Sequence, residues 1–493
     1  MNKSLKVLLA SSEVVPFAKT GGLADVAGAL PKALKKLGHD ARIVLPKYKM
    51  IDDAKFGLKE IARIKVPLGE KEEEAVIKTA VVPGTDVKVY FIDNPSLYGR
   101  DALYQEKGVD YPDNHLRFAF FSRAVLEMMK ALKWYPDVIH CNDWQTGLIP
   151  VYLKALYWAD PLYQAVGTVI TIHNIAYQGN FPREVIEEIG LAWDLFNSDK
   201  LEFWGNVSFL KGGLVYADVI NTVSKTYAVE IQTTNEYGRG LEGLLTYRKK
   251  DLYGIVNGLD YEEWNPATDK FLPVNYNADS ADKKKEVKKA LLEENGLKQK
   301  DNFPLLGLIS RLDDQKGFDI LAEVMPQIAE LDLQFVLLGT GDPKYHTLME
   351  NLKKKYPEKF AVNLKFDNAL AHRIYAGSDL FLMPSRFEPC GLGQLISLKY
   401  GTIPVVRKTG GLADTIKDYN EDPDNGLPSR EGQTEGQVLL DAVKRALKTY
   451  NDEKKWKPLV RRAMLQDWSW SKSAAEYVEL YKISLGARQG VMA

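Results

Sequence analysis

Leu5-Lys6-Val7-Leu8-Leu9-Ala10 leads into Lys19-Thr20-Gly21-Gly22-Leu23-Ala24-Asp25, and all seven residues of the second piece return as Lys408-Thr409-Gly410-Gly411-Leu412-Ala413-Asp414. Ile403-Pro404-Val405-Val406 runs ahead of the later copy. Each copy thus follows a short apolar run of the kind that forms a buried strand. After the first copy, Leu23, Val26, Ala27, Leu30, Ala33, Leu34 and Leu37 recur at the spacing of an amphipathic helix. The repeated unit is strand, glycine loop, helix. Glycine permits close backbone approach, the first N–H groups of a helix lack internal partners, and the helix dipole adds positive potential, so this junction suits an anion such as phosphate. Lys19 adds a full charge beside it. A glycine pair can also simply turn the chain at a strand–helix corner, and recurrence weakens that reading without removing it.

Working outward, apolar runs at 5–10, 41–45, 87–92, 137–140, 168–172 and 218–223 alternate with helical patterns in the first half. This predicts an α/β fold with a mostly parallel, doubly wound sheet. Residues 61–82 read instead as an antiparallel hairpin around the charged turn 69–74. The composition turns polar after Val256-Asn257-Gly258, placing a domain boundary there. The segment 283–295 reads as an exposed helix whose lysines form a solvated face. Strands at 305–309, 335–338, 362–366, 380–383 and 403–406 make the second half another doubly wound domain. Ser471 is a candidate cap for a last helix whose face is Ala474, Tyr477, Val478 and Tyr481. The expected division is 1–256, 257–465, and a C-terminal helix at 466–493 packing back across the boundary. Two such domains facing a central cleft would offer ligand sites at the carboxyl ends of their strands.

At 493 residues the chain exceeds one ordinary core. Lys and Arg number 65 against 66 Asp and Glu, so no overall charge attracts nucleic acid or an acidic membrane, and an anionic ligand needs a local site. Only Cys141 and Cys390 occur, which excludes a disulfide framework and fits a reducing, cytoplasmic setting. The apolar run 7–10 is too short for a signal segment, and no run is long enough to span a membrane.

Three loops at strand ends carry the candidate chemistry. In Ser310-Arg311-Leu312-Asp313-Asp314-Gln315-Lys316-Gly317, Arg311 and Lys316 leave one strand and together could neutralise a diphosphate leaving group; salt bridges to Asp313 and Asp314 are the simpler alternative. In Ser385-Arg386-Phe387-Glu388-Pro389-Cys390-Gly391-Leu392-Gly393-Gln394, the glycines suit an anion, whereas Glu388 would repel one and better binds neutral hydroxyls. In His140-Cys141-Asn142-Asp143-Trp144, an adjacent carboxylate and indole suit a sugar, with a buried Trp anchoring the loop as the alternative. The chain lacks a G-x-G-x-x-G after its first strand and any G-x-x-x-x-G-K-[ST], against dinucleotide oxidoreductases and P-loop enzymes. The His and Cys spacing fits no zinc site.

Taken in order, Lys19-Thr20-Gly21-Gly22-Leu23, Tyr111-Pro112-Asp113-Asn114, His140-Cys141-Asn142-Asp143-Trp144, His173-Asn174-Ile175-Ala176-Tyr177-Gln178-Gly179, Asn257-Gly258-Leu259-Asp260, Ser310-Arg311 with Lys316-Gly317, Glu388-Pro389-Cys390-Gly391-Leu392 and the second Thr-Gly-Gly-Leu-Ala-Asp resemble the bacterial glycogen synthase and plant starch synthase family. The resemblance spans nearly the whole chain. It implies a GT-B fold of two Rossmann-like domains and transfer of glucose, with retention, from ADP-glucose to the non-reducing 4-hydroxyl of an α-1,4-glucan, with no metal or other cofactor. It implies that Lys19, Arg311 and Lys316 bind the diphosphate, helped by the Gly22 amide and the Leu392-Gly393 backbone. Glu388 and the Cys390-Gly391 backbone would hold the donor glucose, with His173 and Asn257 near its 6-hydroxyl. Phe366 would stack on adenine, and Asp143 and Trp144 would face the sugar side. Other readings are a retaining relative using UDP-glucose or another acceptor, and an inactive nucleotide-sugar or glucan-binding module. Three stretches depart from the family pattern: Gly393 stands where many members carry Thr or Asn, Arg239 where an aromatic residue is common, and 425–432 replaces a usual strand.

Overall fold

The computed structural model describes residues 4–300, 302–419, 427–428 and 434–492. The chain forms two compact units. The first contains residues 1–223, 228–258 and 470–493, and the second contains 224–227 and 259–469. The chain leaves the first unit after Gly258 rather than after Val256, and re-enters it at Trp470 rather than at residue 466. Gly258 explains the first shift: a side chain there would run into the Trp470 backbone, so these two residues pack as one piece.

Among the described residues, the first unit is built on a nine-stranded sheet. Its spatial order is Leu252–Gly254, Val219–Thr222, Gly167–Ile172, Val138–Asn142, Lys6–Ala10, Asp40–Pro46, Lys88–Asp93, Lys71–Val81, Lys59–Leu68. All neighbours pair in parallel up to Lys88–Asp93. Lys71–Val81 and Lys59–Leu68 then add the expected hairpin antiparallel. Central strands are buried on both faces, as Gly167–Ile172 is at all six positions, which is why they read as continuous apolar runs. The helix after the first glycine loop, Gly22–Lys36, buries Leu23, Val26, Leu30 and Leu34. At roughly 1.5–3 kcal/mol per fully buried aliphatic side chain, that stripe outweighs two glycines and an internal Pro31.

The helix Trp470–Met492 belongs to this unit and starts before Ser471, so that serine lies within the helix rather than at its cap. Its face of Ala474, Tyr477, Val478 and Tyr481 is buried. Tyr481 Oη lies 2.9 Å from His140 Nδ1, and the Asn221 amide donates to Tyr477 Oη at 3.2 Å.

The second unit carries a six-stranded, all-parallel sheet in the order Phe360–Asn363, Gln334–Leu338, Leu305–Ile309, Leu380–Met383, Ile403–Val406, Leu427–Pro428. Its third strand in chain order ends at Asn363, short of the expected Phe366. Leu427–Pro428 supplies a short edge strand inside the atypical 425–432 stretch, whose other residues lie outside the described ones.

The solvated face expected at 283–295 is corrected in part. Lys284 Nζ donates to the Ala376 and Tyr400 carbonyls at 2.6 and 2.9 Å and to Thr402 Oγ1 at 3.0 Å, and Lys288 Nζ reaches Asp379 at 2.7 Å. Ala376 lies in the last turn of one helix and Tyr400 caps another. The lysine therefore satisfies carbonyls that helix C-termini leave unpaired. No helix among the described residues is long and apolar enough to cross a membrane.

Candidate active site

In each sheet the parallel strands are built outward from one switch point, and loops leaving the two strands at that point diverge to leave a crevice at their carboxyl ends. In the second unit the switch point falls between Leu305–Ile309 and Leu380–Met383. The loops that follow them are the Arg311–Lys316 and Ser385–Gly393 stretches. They meet there: Lys316 Nζ lies 2.6 Å from Glu388 Oε2, to which Ser385 Oγ also donates at 3.0 Å. Glu388 is buried, with its side chain 8% exposed. A buried carboxylate requires a partner, and Lys316 with Ser385 supplies it on one oxygen. Glu388 Oε1 makes no hydrogen bond among the described residues and can accept from hydroxyls.

Arg311 is half-exposed and held by Asp313 at 3.0 Å and Gln315 at 3.2 Å. The salt bridge anticipated as its simpler role does form, yet the guanidinium retains donors for an anion. Phe366 lies beyond its strand and is 91% exposed, next to Asp367, which caps the helix Asn368–Gly377. Its face is open to stack on a flat base. Cys390 is buried, and its carbonyl accepts from the Gln394 side chain at 2.9 Å.

The second glycine motif has a different task from the first. Gly411 donates its amide to the Glu388 carbonyl at 3.0 Å. A side chain at Gly410 would collide with the Glu388 backbone, and one at Gly411 with that of Cys390; Gly410 also sits at φ +45°. The two glycines thus press directly against the loop that carries Glu388. Asp414, last in the motif, accepts from Thr226 N at 3.0 Å and Thr226 Oγ1 at 2.6 Å.

In the first unit the switch point lies between Lys6–Ala10 and Val138–Asn142. The loop after Ala10 folds around Glu13, whose carboxylate accepts from the Thr20 amide, from the Gly21 amide at 3.0 Å, from Thr20 Oγ1 at 2.6 Å and from Tyr104 Oη at 2.7 Å. This shapes the glycine loop while leaving Lys19 half-exposed, paired with Asp25 at 2.7 Å. The helix starts at Gly22 with no side-chain cap, so its first amides remain available to an anion.

Across the same crevice, Asp143 has φ +57°, an uncommon conformation for a residue with a side chain. Burial pushes its carboxyl up to about 7, against hydrogen bonds from the His173 and Asn174 amides; the His173 amide donates to Oδ1 at 2.7 Å. The Asn142 amide nitrogen donates to the Ala10 carbonyl at 3.0 Å, so its oxygen faces His173 Nε2 at 2.8 Å. That nitrogen therefore carries the proton and Nδ1 remains an acceptor. Burial pulls the His173 imidazole down to about 3, so the ring is neutral near pH 7. Asn257 is buried with Oδ1 unpartnered.

The sugar-stacking expectation for Trp144 is corrected. Its indole is 8% exposed and packs edgewise on Phe118 and Phe181, at 5.0 and 5.7 Å between centroids, with Gly179 close over its ring. It anchors the loop that presents Asp143. Arg239 sits in the left-handed region and caps the short helix Asn235–Gly238. Its carbonyl accepts from Gln178 at 3.1 Å.

Thus Arg311, Lys316, Phe366, Glu388, Cys390, Gly391, Leu392 and Gly393 lie in the second unit, and Lys19, Gly22, Asp143, Trp144, His173 and Asn257 in the first. Glu13, Asn142 and Ser385 were missed as contributors. The polar Ser11-Ser12-Glu13 directly after a buried strand was the available signal for Glu13.

Residues 6–247 match the family described as starch synthase catalytic domain, and residues 289–462 match glycosyl transferases group 1. With two parallel-sheet units, this defines a glycosyltransferase of the GT-B fold. The glycogen synthase of Moorella thermoacetica is 50% identical over 496 aligned positions, spanning 100% of this chain and 99% of that protein. The glycogen synthase of Desulforudis audaxviator is likewise 50% identical, spanning 98% of this chain and 97% of that protein. The solved catalytic domain of starch synthase IV from Arabidopsis thaliana, bound to ADP and acarbose, superposes with a TM-score of 0.89 at 36% identity, covering 98% of this chain and all of that one. The chain belongs to the glycogen synthase and starch synthase family. A sucrose-phosphate synthase from Thermosynechococcus elongatus, at 16% identity and a TM-score of 0.57, shares the fold.

Proposed function

We propose that this glycosyltransferase moves glucose, with retention of configuration, from ADP-glucose to the non-reducing 4-hydroxyl of an α-1,4-glucan. The observation that carries the reading is the Lys316–Glu388 contact of 2.6 Å at the switch point of the second unit. It sets a cation for a departing diphosphate beside a carboxylate with one free oxygen for glucose hydroxyls. Arg311 adds charge for the diphosphate and Phe366 an open ring for the base. Lys19, with the Gly22 amide, is the first unit's candidate for phosphate. His173 Nδ1 accepts from a sugar hydroxyl, and the neutral ring adds no positive charge near a glucosyl centre that is itself becoming cationic. Asn257 Oδ1 is a second acceptor of this kind. The relative solved with ADP supports adenine as the base.

Glycosidases pair two carboxylates as acid and nucleophile. Here Glu388 is already engaged by Lys316 and Ser385, and the donor brings its own leaving group. The bond from glucose C1 to the phosphate oxygen breaks, the acceptor oxygen bonds to C1 on the same face, and its proton passes to the departing phosphate. A covalent glucosyl adduct trapped on Glu388 or Asp143 would defeat this mechanism. The donor reading is tested by offering ADP-glucose and UDP-glucose separately with glycogen. Turnover with ADP-glucose at higher kcat/KM supports it, and preference for UDP-glucose overturns it.

A further inference from the structure

Tyr375, on the helix Asn368–Gly377, has a buried side chain whose ring packs on Phe381 at 4.8 Å and against Trp264 at 5.6 Å. Buried tyrosines in this chain commonly spend the hydroxyl on a fixed acceptor: Tyr98 donates to the Arg117 carbonyl, Tyr152 to that of Ile189, Tyr163 to that of Leu126, and Tyr276 to that of Tyr400, each at 2.7 Å. Tyr375 Oη makes no hydrogen bond among the described residues and is not closed off from solvent. A hydroxyl that the fold leaves both unspent and reachable is open to a ligand.

Its surroundings show which ligand. Residue 393 carries no side chain, and a Cβ built there would stand 3.3 Å from Tyr375 Oη, 3.2 Å from the Phe381 ring and 3.3 Å from the Met383 sulfur. The phenol therefore reaches the backbone that follows Glu388 and fills space that a larger residue at 393 would need. Burial first, and then the Glu388 charge, hold the phenol protonated far above neutrality. The neutral hydroxyl can donate to an anion's oxygen, and it sits beside the Leu392-Gly393 backbone, the stretch of this unit expected to face a diphosphate.

Resting on the proposed function, we infer that Tyr375 Oη donates a hydrogen bond to the glucose-linked phosphate of the nucleoside diphosphate, supplying from a neighbouring helix a side-chain donor beside Gly393, which has none of its own. Tyr375 is thus a donor-binding residue of the second unit, and the pair Tyr375 with Gly393 acts as one element.

Tyr375→Phe removes one oxygen and keeps the ring. ADP affinity and kcat/KM for ADP-glucose should fall ~10- to 100-fold, the range of a hydrogen bond to a charged group. AMP affinity, glucan KM and Tm should hold. Generally impaired folding would weaken AMP equally, so the ADP-to-AMP ratio separates the two causes. Adding Gly393→Ser to Tyr375→Phe places a new hydroxyl in the vacated space and should recover most of the loss. The inference is overturned if Tyr375→Phe binds ADP within about twofold of wild type, if AMP weakens as much as ADP, or if the second substitution restores nothing, since about twofold is less than any net hydrogen bond to phosphate. Wild-type protein that neither binds ADP nor transfers glucose would defeat the proposed function as well. An active wild type matched by Tyr375→Phe defeats this inference alone.

Discussion

Lys316 holds the buried Glu388 carboxylate and would also face the diphosphate of a bound donor. Its charge matters most as the leaving group departs, because preorganised charge is worth most where charge develops. Lys316→Ala should lower kcat for glucosyl transfer by about 10²–10³-fold, the range seen for loss of one oxyanion donor, with little change in glucan affinity. Initial rates and a glucan-binding assay on the same variant check this, and equal loss of both would make the lysine structural.

Asp143 gives a second test at this scale. Burial raises its carboxyl to about 7, so folding favours the protonated form. The associated stability is fully present below the ordinary carboxylate range and is lost as pH rises through about 7. Asp143→Asn keeps an oxygen for the His173 amide without the charge. It should raise Tm at pH 8.5, by an amount on the order of 2–4 kcal/mol in stability, with the difference vanishing near pH 4. Calorimetry at the two pH values reads it, and a variant less stable than wild type at pH 8.5 would contradict the assignment.

The two glycine motifs share a sequence and differ in what surrounds them. Gly22 opens a fifteen-residue helix with nothing near where a side chain would grow, whereas Gly411 opens onto the Cys390 backbone within a six-residue helix. Gly22→Ala should leave Tm almost unchanged, since alanine is the better helix former. Gly411→Ala should destabilise the second unit by about 1–3 kcal/mol and displace Glu388. Thermal unfolding of both variants decides it; equal shifts would mean the copies do the same job. Periodicity carried the strands and this first helix, because burial on both faces writes an unbroken apolar run. It could not show that Glu13 occupies the glycine-loop amides, since that contact joins residues separated by a turn whose path has no period. Nor could it show Trp144 turned inward: Phe118, Phe181 and Gly179, which enclose it, come from distant stretches of chain.

For the molecule as a whole, the alternation of strands and helices made both doubly wound sheets legible, and the loops after their switch points carried the charged candidates. What periodicity left out was how the last helix is bound. Its apolar face was readable, but Tyr481 reaching His140 and Tyr477 reaching Asn221 depend on polar groups inside the first sheet. Lys284 was expected on a solvated face for a like reason, because a lysine that caps helix carbonyls looks in sequence like one in water. Tyr375 could not be read as a site residue either, since a helical tyrosine facing a core has an ordinary pattern and only its unspent hydroxyl sets it apart.

The central claim is that these groups serve retaining growth of an α-1,4-glucan from ADP-glucose. Incubating the protein with ADP-glucose and a short malto-oligosaccharide, then reading the product by mass and proton NMR, tests it directly. ADP should be released in step with products longer by single glucoses, each joined α-1,4 at the non-reducing end. ADP release without chain growth, or a β-linked product, would contradict it.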